Sequence, residues 1–246
     1  MEDLLLLLVL PLAVVVIGLV AEYWVIQPLR RKKKAGSADE ILSPRGGELD
    51  LAKDRTDTPT PPRVLLTAAD YGPLLYEEHF RTNDQTWHLP RPDAISQSQL
   101  VLEQGTSAYP HSDTQYSDFI FQTRFRHLEP THNCQISVYL RQQVPPCPQW
   151  NCSVEIWASG DWNTVGSRRI RGDEAMRLLV DTPAGYLNRA TWNTLAVVLQ
   201  GSKYEIYVDD DLVGRFTDST YRSGKFILSS PAGAAAFDYV RIYGLP

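Results

Sequence analysis

Ile136-Ser137-Val138-Tyr139-Leu140-Arg141 and Ser153-Val154-Glu155-Ile156-Trp157-Ala158 decide the fold class. In both, every second residue is aliphatic or small, and the residues between are polar or aromatic. Successive side chains of a strand point to opposite faces, so a period of two marks a strand with one buried face. Upstream, Phe119, Phe121 and Phe125 share one side, and Asp118, Ile120, Gln122 and Arg124 the other. Downstream, Thr194–Gln200, Lys203–Val208 and Leu212–Thr217 read as a meander, with turns at Gly201-Ser202 and Asp209-Asp210-Asp211. Lys225–Ser229 and Asp238–Tyr243 supply two more strands. No run of ten residues carries helical periodicity, and only Asp173–Leu179 has room for a helical turn. Such a series of half-buried antiparallel strands predicts an all-β domain over 71–246, a two-sheet antiparallel sandwich.

The N-terminal part has a different character. Leu4–Val20 is apolar apart from Pro11 and Gly18, and the stretch 4–26 reaches Tyr23 and Trp24, residues suited to a membrane interface. About 20 apolar residues cross a bilayer core as a helix, which predicts a single-pass transmembrane anchor within 1–34. The acidic start Met1-Glu2-Asp3 and the poor cleavage site Leu19-Val20-Ala21 argue against a removable signal peptide. Arg30, Arg31, Lys32, Lys33 and Lys34 follow the span, which predicts a cytoplasmic C-terminal domain and contact with anionic lipid headgroups. Two features point the other way: the sequon Asn151-Cys152-Ser153, and Cys147 and Cys152, which bracket a loop able to close as a disulfide. Residues 35–70, rich in Ser, Pro, Thr and charge and including Thr58-Pro59-Thr60-Pro61-Pro62, read as a disordered Pro-rich tether.

The paired strands resemble the concanavalin A-like lectin/glucanase superfamily, and within it the laminin-G-like domain also called the 3-keto-disaccharide hydrolase domain. Trp192-Asn193, Gly201, Tyr207-Val208-Asp209-Asp210, Gly224-Lys225-Phe226-Ile227-Leu228 and Phe237-Asp238-Tyr239-Val240-Arg241-Ile242 carry the likeness over residues 75–246. The resemblance implies a jelly roll whose concave sheet binds glycans.

Strand parity puts Tyr139, Arg141, Glu155 and Trp157 on one exposed face opposite the core, with Arg124 joining if its strand lies in the same sheet. A flat aromatic ring beside a guanidinium and a carboxylate suits a sugar, whose apolar face stacks while its hydroxyls are bonded. The same residues also describe a solvated face with cross-strand ion pairs. The loop Gly160-Asp161-Trp162-Asn163 is a second candidate patch. Glycan hydrolysis requires two carboxylates flanking the bond. The superfamily's glucanases place theirs as Glu-x-Asp-x-Glu, where this chain has Glu155-Ile156-Trp157-Ala158-Ser159, and this departure points away from a hydrolase.

Nothing in the sequence calls for a cofactor. His127 and His132 lack a third ligand, Arg171-Gly172-Asp173 reads as a turn, and Asp209-Asp210-Asp211 reads as a hairpin before a calcium site. A net charge of −5 argues against nucleic acid as a partner. Three readings follow: a membrane-tethered recognition module for a glycan or protein partner, a sugar-processing hydrolase on the same fold, or a structural subunit of a larger membrane assembly.

Overall fold

The alternation read from the sequence folds into two antiparallel sheets. The computed structural model describes residues 65–83, 85–128, 134–143, 152–160, 163–183, 187 and 191–246. In chain order the strands are β1 (Leu74–Glu78), β2 (Trp87–His88), β3 (Ile95–Ser96), β4 (Gln99–Leu102), β5 (Thr106–Pro110), β6 (Phe119–His127), β7 (Gln135–Gln142) and β8 (Cys152–Ser159). They continue as β9 (Thr164–Arg171), β10 (Glu174–Pro183), β11 (Asn193–Gln200), β12 (Lys203–Val208), β13 (Asp211–Thr217), β14 (Lys225–Ala232) and β15 (Ala235–Tyr243). The first sheet runs β13-β12-β11-β6-β15-β4-β3, with β1 added on β15, and the second runs β10-β9-β8-β7-β14-β5-β2. Phe119, Phe121 and Phe125 of the first sheet share one buried cluster with Ile136, Val138, Leu140, Val154 and Ile156 of the second. The domain is a jelly-roll sandwich.

Turn chemistry fixes the hairpins. Asp209 and Asp210 both have positive φ, 48° and 66°, the left-handed pair that a two-residue hairpin between right-twisted strands requires. Asp209 also ties the turn to β11 by accepting the Thr194 N–H at 2.7 Å. The Asp173–Leu179 stretch is not helical. It belongs to β10, paired with β9 from Glu174↔Arg171 onward, because Gly172 at φ 60° folds the chain back and offers it a ladder of cross-strand partners.

Among the described residues, 65–70, which fall within the stretch 35–70 expected to be tether, are paired with the sheet. Leu65 bridges to Asp211, the Leu66 N–H donates to the Asp210 carbonyl at 3.0 Å, and a 3-10 turn follows at Ala68–Asp70. Leu66 packs on Ile120, Ala196 and Tyr207, side chains that alternate with the core set on the outer face of the first sheet. This strap explains why Ile120 is buried although its parity points away from the core. No helix among the described residues is long and apolar enough to cross a membrane. The expected span at 4–26, the cluster Arg30–Lys34, most of the tether, Cys147, Asp161 and Trp162 all lie outside the described residues.

Candidate functional site

Tyr139 on β7 and Glu155 on β8 are cross-strand partners, and Arg168 on β9 pairs opposite Glu155. The three therefore form one row across the outer face of the second sheet. Glu155 is fully buried; its Oε1 accepts from Ser137 Oγ at 2.7 Å and its Oε2 accepts from Arg168 Nε. A buried carboxylate must be paired, and here the partner is an arginine that remains 44 % exposed. Glu155 thus holds Arg168 in place and leaves the rest of its guanidinium free to face outward. Burial, then the negative charge of Glu155, pushes the Tyr139 hydroxyl up to about 12, so it stays a neutral donor at physiological pH.

Trp157 is also on this face, but only 7 % exposed. Its indole lies across Gly166, the opposite residue on β9, so closely that a Cβ there would sit 2.2 Å from Cζ2. The guanidinium carbons of Arg168 and Arg177 lie 5.8 and 6.0 Å from the ring centroid. The expectation of an exposed stacking platform is therefore corrected: Trp157 is a packed cover over a glycine gap.

Arg141 and Arg124 do not join the row. Arg141 sits in a bulge at φ 52°, where the β7–β14 register shifts between Lys225 and Ile227. The extra residue turns its side chain away from the outer face. It is fully buried, donating to the carbonyls of Ser117, Gly201 and Tyr221 at 2.6, 2.7 and 3.0 Å, and it also contacts Tyr204 Oη and Asp118. Gly224 permits this, since a Cβ there would lie 2.4 Å from the Arg141 carbonyl carbon. Arg141 is a structural cation that ties loops together. Arg124 lies on the other sheet, bonded to Asp238 at 3.1 Å beside Trp192.

Beside the Tyr139–Glu155–Arg168 row lies an open groove of about 670 Å³. Its floor is Ser107, Tyr109, Tyr139, Arg168, Ile170 and Ile227, and the β9–β10 turn (Gly172, Asp173, Glu174, Ala175) forms a wall. Sequence reading missed most of this set. Ser167-Arg168-Arg169-Ile170-Arg171 is polar on both faces, because Arg169 points the other way onto Asp218 at 2.9 Å. The available signal was Gly166, placed to accept an aromatic side chain from the neighbouring strand. The groove combines two phenol rings, two isoleucines and a positioned guanidinium. That mixture suits a small polyhydroxylated ligand. Cys134 is buried, and Cys152 is disulfide-bonded, while its expected partner Cys147 lies outside the described residues. Among the described residues no group of three His, Cys, Asp or Glu is placed to hold a metal.

Residues 77–243 match the family described as the 3-keto-alpha-glucoside-1,2-lyase-like domain. The chain belongs to this family. No curated protein matches this family member significantly. Among solved structures it is similar to the carbohydrate-binding module CBM66 from Bacillus subtilis, at TM-score 0.50 and 16 % identity, over 59 % of this chain and 86 % of that one. It is also similar to the Bacillus licheniformis beta-glucanase, at TM-score 0.52 and 13 % identity, over 70 % and 98 % of the two chains. The Pyrococcus furiosus endo-beta-1,3-glucanase is similar at TM-score 0.53 and 12 % identity, over 73 % and 99 %. Likeness at these identities shows the concanavalin A-like fold that the lyase-like domain shares with them.

Proposed function

We propose that this lyase-like domain is a membrane-tethered recognition module that binds a glycan, without cleaving it, in the groove beside Tyr139 and Arg168. The observation that carries the reading is the buried Glu155 spent on orienting Arg168. A carboxylate used that way positions a hydrogen-bond donor and has no access to a ligand. The similar carbohydrate-binding module and glucanases support a sugar as the ligand class. The apolar run 4–26 supports the tether, and the Arg30–Lys34 cluster supports a cytoplasmic domain whose ligands are soluble oligosaccharides. Protease treatment of intact cells tests the topology; removal of the domain from outside overturns it.

Family membership favours a second reading. Elimination across C1–C2 of a 3-keto glucoside needs a base for the C2 proton, which the neighbouring ketone acidifies, so the missing glucanase carboxylate pair does not argue against it. The carboxylates that line the described groove are Asp173 and Glu174, on its rim. Calorimetric titration of the full-length chain with gluco-oligosaccharides tests the binding reading. Saturable binding lost in Tyr139→Ala and Arg168→Ala supports it, and binding unchanged in both variants contradicts it.

A further inference from the structure

A second cavity, of about 430 Å³, lies on the opposite side of the sandwich, between the Leu65–Tyr71 strap and the outer face of the first sheet. Three phenols surround it: Tyr71 from the strap, and Tyr239 and Tyr243 from β15. Gln122, Asp210 and Arg241 supply an amide, a carboxylate and a guanidinium. Strand register sets this up, because Tyr239-Val240-Arg241-Ile242-Tyr243 alternates, sending Val240 and Ile242 into the core and the other three outward. Leu66 covers Ile120, Ala196 and Tyr207, and Tyr71 and Tyr243 pack half-buried against that cluster. Together with Tyr239 they also keep part of their surface open to the cavity.

The polar groups there are arranged as donors and acceptors of nearly balanced charge. Gln122 Nε2 donates to Tyr71 Oη at 3.0 Å, Arg241 Nε donates to Glu77 at 2.7 Å, and the Arg241 guanidinium carbon stacks 4.4 Å from the Tyr239 ring centroid. Arg241 is neutralised by Glu77, which leaves little field for an anion. Tyr71 and Tyr243 meet edge-on, with centroids 4.7 Å apart, making a corner of aromatic surface. Burial raises both the Tyr71 and Tyr239 hydroxyls above the ordinary phenol range, so they remain donors.

We infer that this pocket is a second carbohydrate site, separate from the groove on the other sheet, that takes one or two rings of a neutral sugar against Tyr71, Tyr239 and Tyr243. Aromatic surface receives the apolar face of a pyranose, while the amide, carboxylate and phenols bond its hydroxyls. One wall is the Leu65–Tyr71 strap, so a bound sugar clamps the strap to the sheet. The inference stands without the groove reading, because no residue is shared between the two cavities.

Fluorine NMR of the full-length chain in a sugar-free detergent, with fluorinated tyrosine incorporated and assigned by single Tyr→Phe changes, tests it. The probes are glucose, cellobiose, maltose and N-acetylglucosamine, titrated into the millimolar range. Saturable shifts of the Tyr71, Tyr239 and Tyr243 signals are expected with at least one probe. Ala68→Trp, on the exposed strap, fills the pocket without removing any contact and should abolish those shifts while leaving Tyr109 and Tyr139 unaffected. Absence of a saturable shift at all three tyrosines with every probe overturns the inference. So do shifts that survive Ala68→Trp in a variant whose melting temperature is unchanged. Failure of the groove reading would appear only at Tyr109 and Tyr139.

Discussion

Gly166→Ala offers a quantitative test of how the face around Glu155 is packed. An added Cβ would lie 2.2, 2.5 and 3.0 Å from Cζ2, Cε2 and Cη2 of Trp157. Comfortable carbon–carbon contact is about 3.5–4.0 Å, so the indole must lift by more than 1 Å or so. Overpacking of this kind costs about 1–3 kcal/mol. Trp157→Ala alone removes a ring that is 7 % exposed. At about 25 cal/mol per Å² over roughly 150–250 Å², the gross loss is near 4–6 kcal/mol. Regained side-chain entropy and residual burial bring the expected net loss to about 3 kcal/mol. In the double variant the clash is gone, and Ala in a strand outperforms Gly by about 0.5–1 kcal/mol. The two changes should therefore couple by about 2–3 kcal/mol in a double-mutant cycle measured by urea unfolding. Additivity within about 0.5 kcal/mol would refute the packing of Trp157 on Gly166 and restore it as an exposed platform.

Arg141→Ala should cost about 3–5 kcal/mol in urea unfolding, because it orphans three carbonyls at once, while Arg124→Ala costs under about 1 kcal/mol. Equal, small effects would contradict the structural role of Arg141. Truncation to residue 72 should destabilise the domain relative to a chain starting at 60 by about 2–4 kcal/mol, from loss of Leu66 and Tyr71 burial; equal denaturation midpoints would show that the strap does not dock. The Tyr139 and Tyr204 phenols sit near 12, against 10.0 for a free phenol. The unfolded chain releases these protons first, so their contribution to stability is full below pH 10 and is lost as pH rises toward 12. Ultraviolet titration should leave a fraction of the twelve tyrosines un-ionised until the domain unfolds, and ionisation of all twelve near pH 10 in the folded state would contradict this.

Period-two alternation made the sandwich legible, since it depends only on which residues face the core. Tyr139, Glu155 and Trp157 were placed on the correct face for the same reason. What parity does not encode is the fate of a side chain after it leaves the backbone. Trp157 lies down because Gly166, on the next strand, leaves room for it, a relation that appears only once β8 and β9 are in register. Arg141 turns inward through a bulge that carries no local sequence signature. Arg168 was hidden because its strand is polar on both faces, with Arg169 turned the other way onto Asp218. Leu65 and Leu66 resembled tether residues, and only their pairing with Asp210 and Asp211 makes them part of the domain.

The proposed function stands or falls on binding without cleavage at Tyr139 and Arg168. Saturation-transfer NMR of a 3-keto α-glucoside disaccharide mixed with the full-length chain tests it most directly, because one sample reports both contact and turnover. The expected result is saturable contact that disappears in Tyr139→Ala and Arg168→Ala, with the disaccharide intact after prolonged incubation. Loss of the glycosidic bond at an enzymatic rate, on the order of one turnover per second, would contradict it and assign the groove to catalysis.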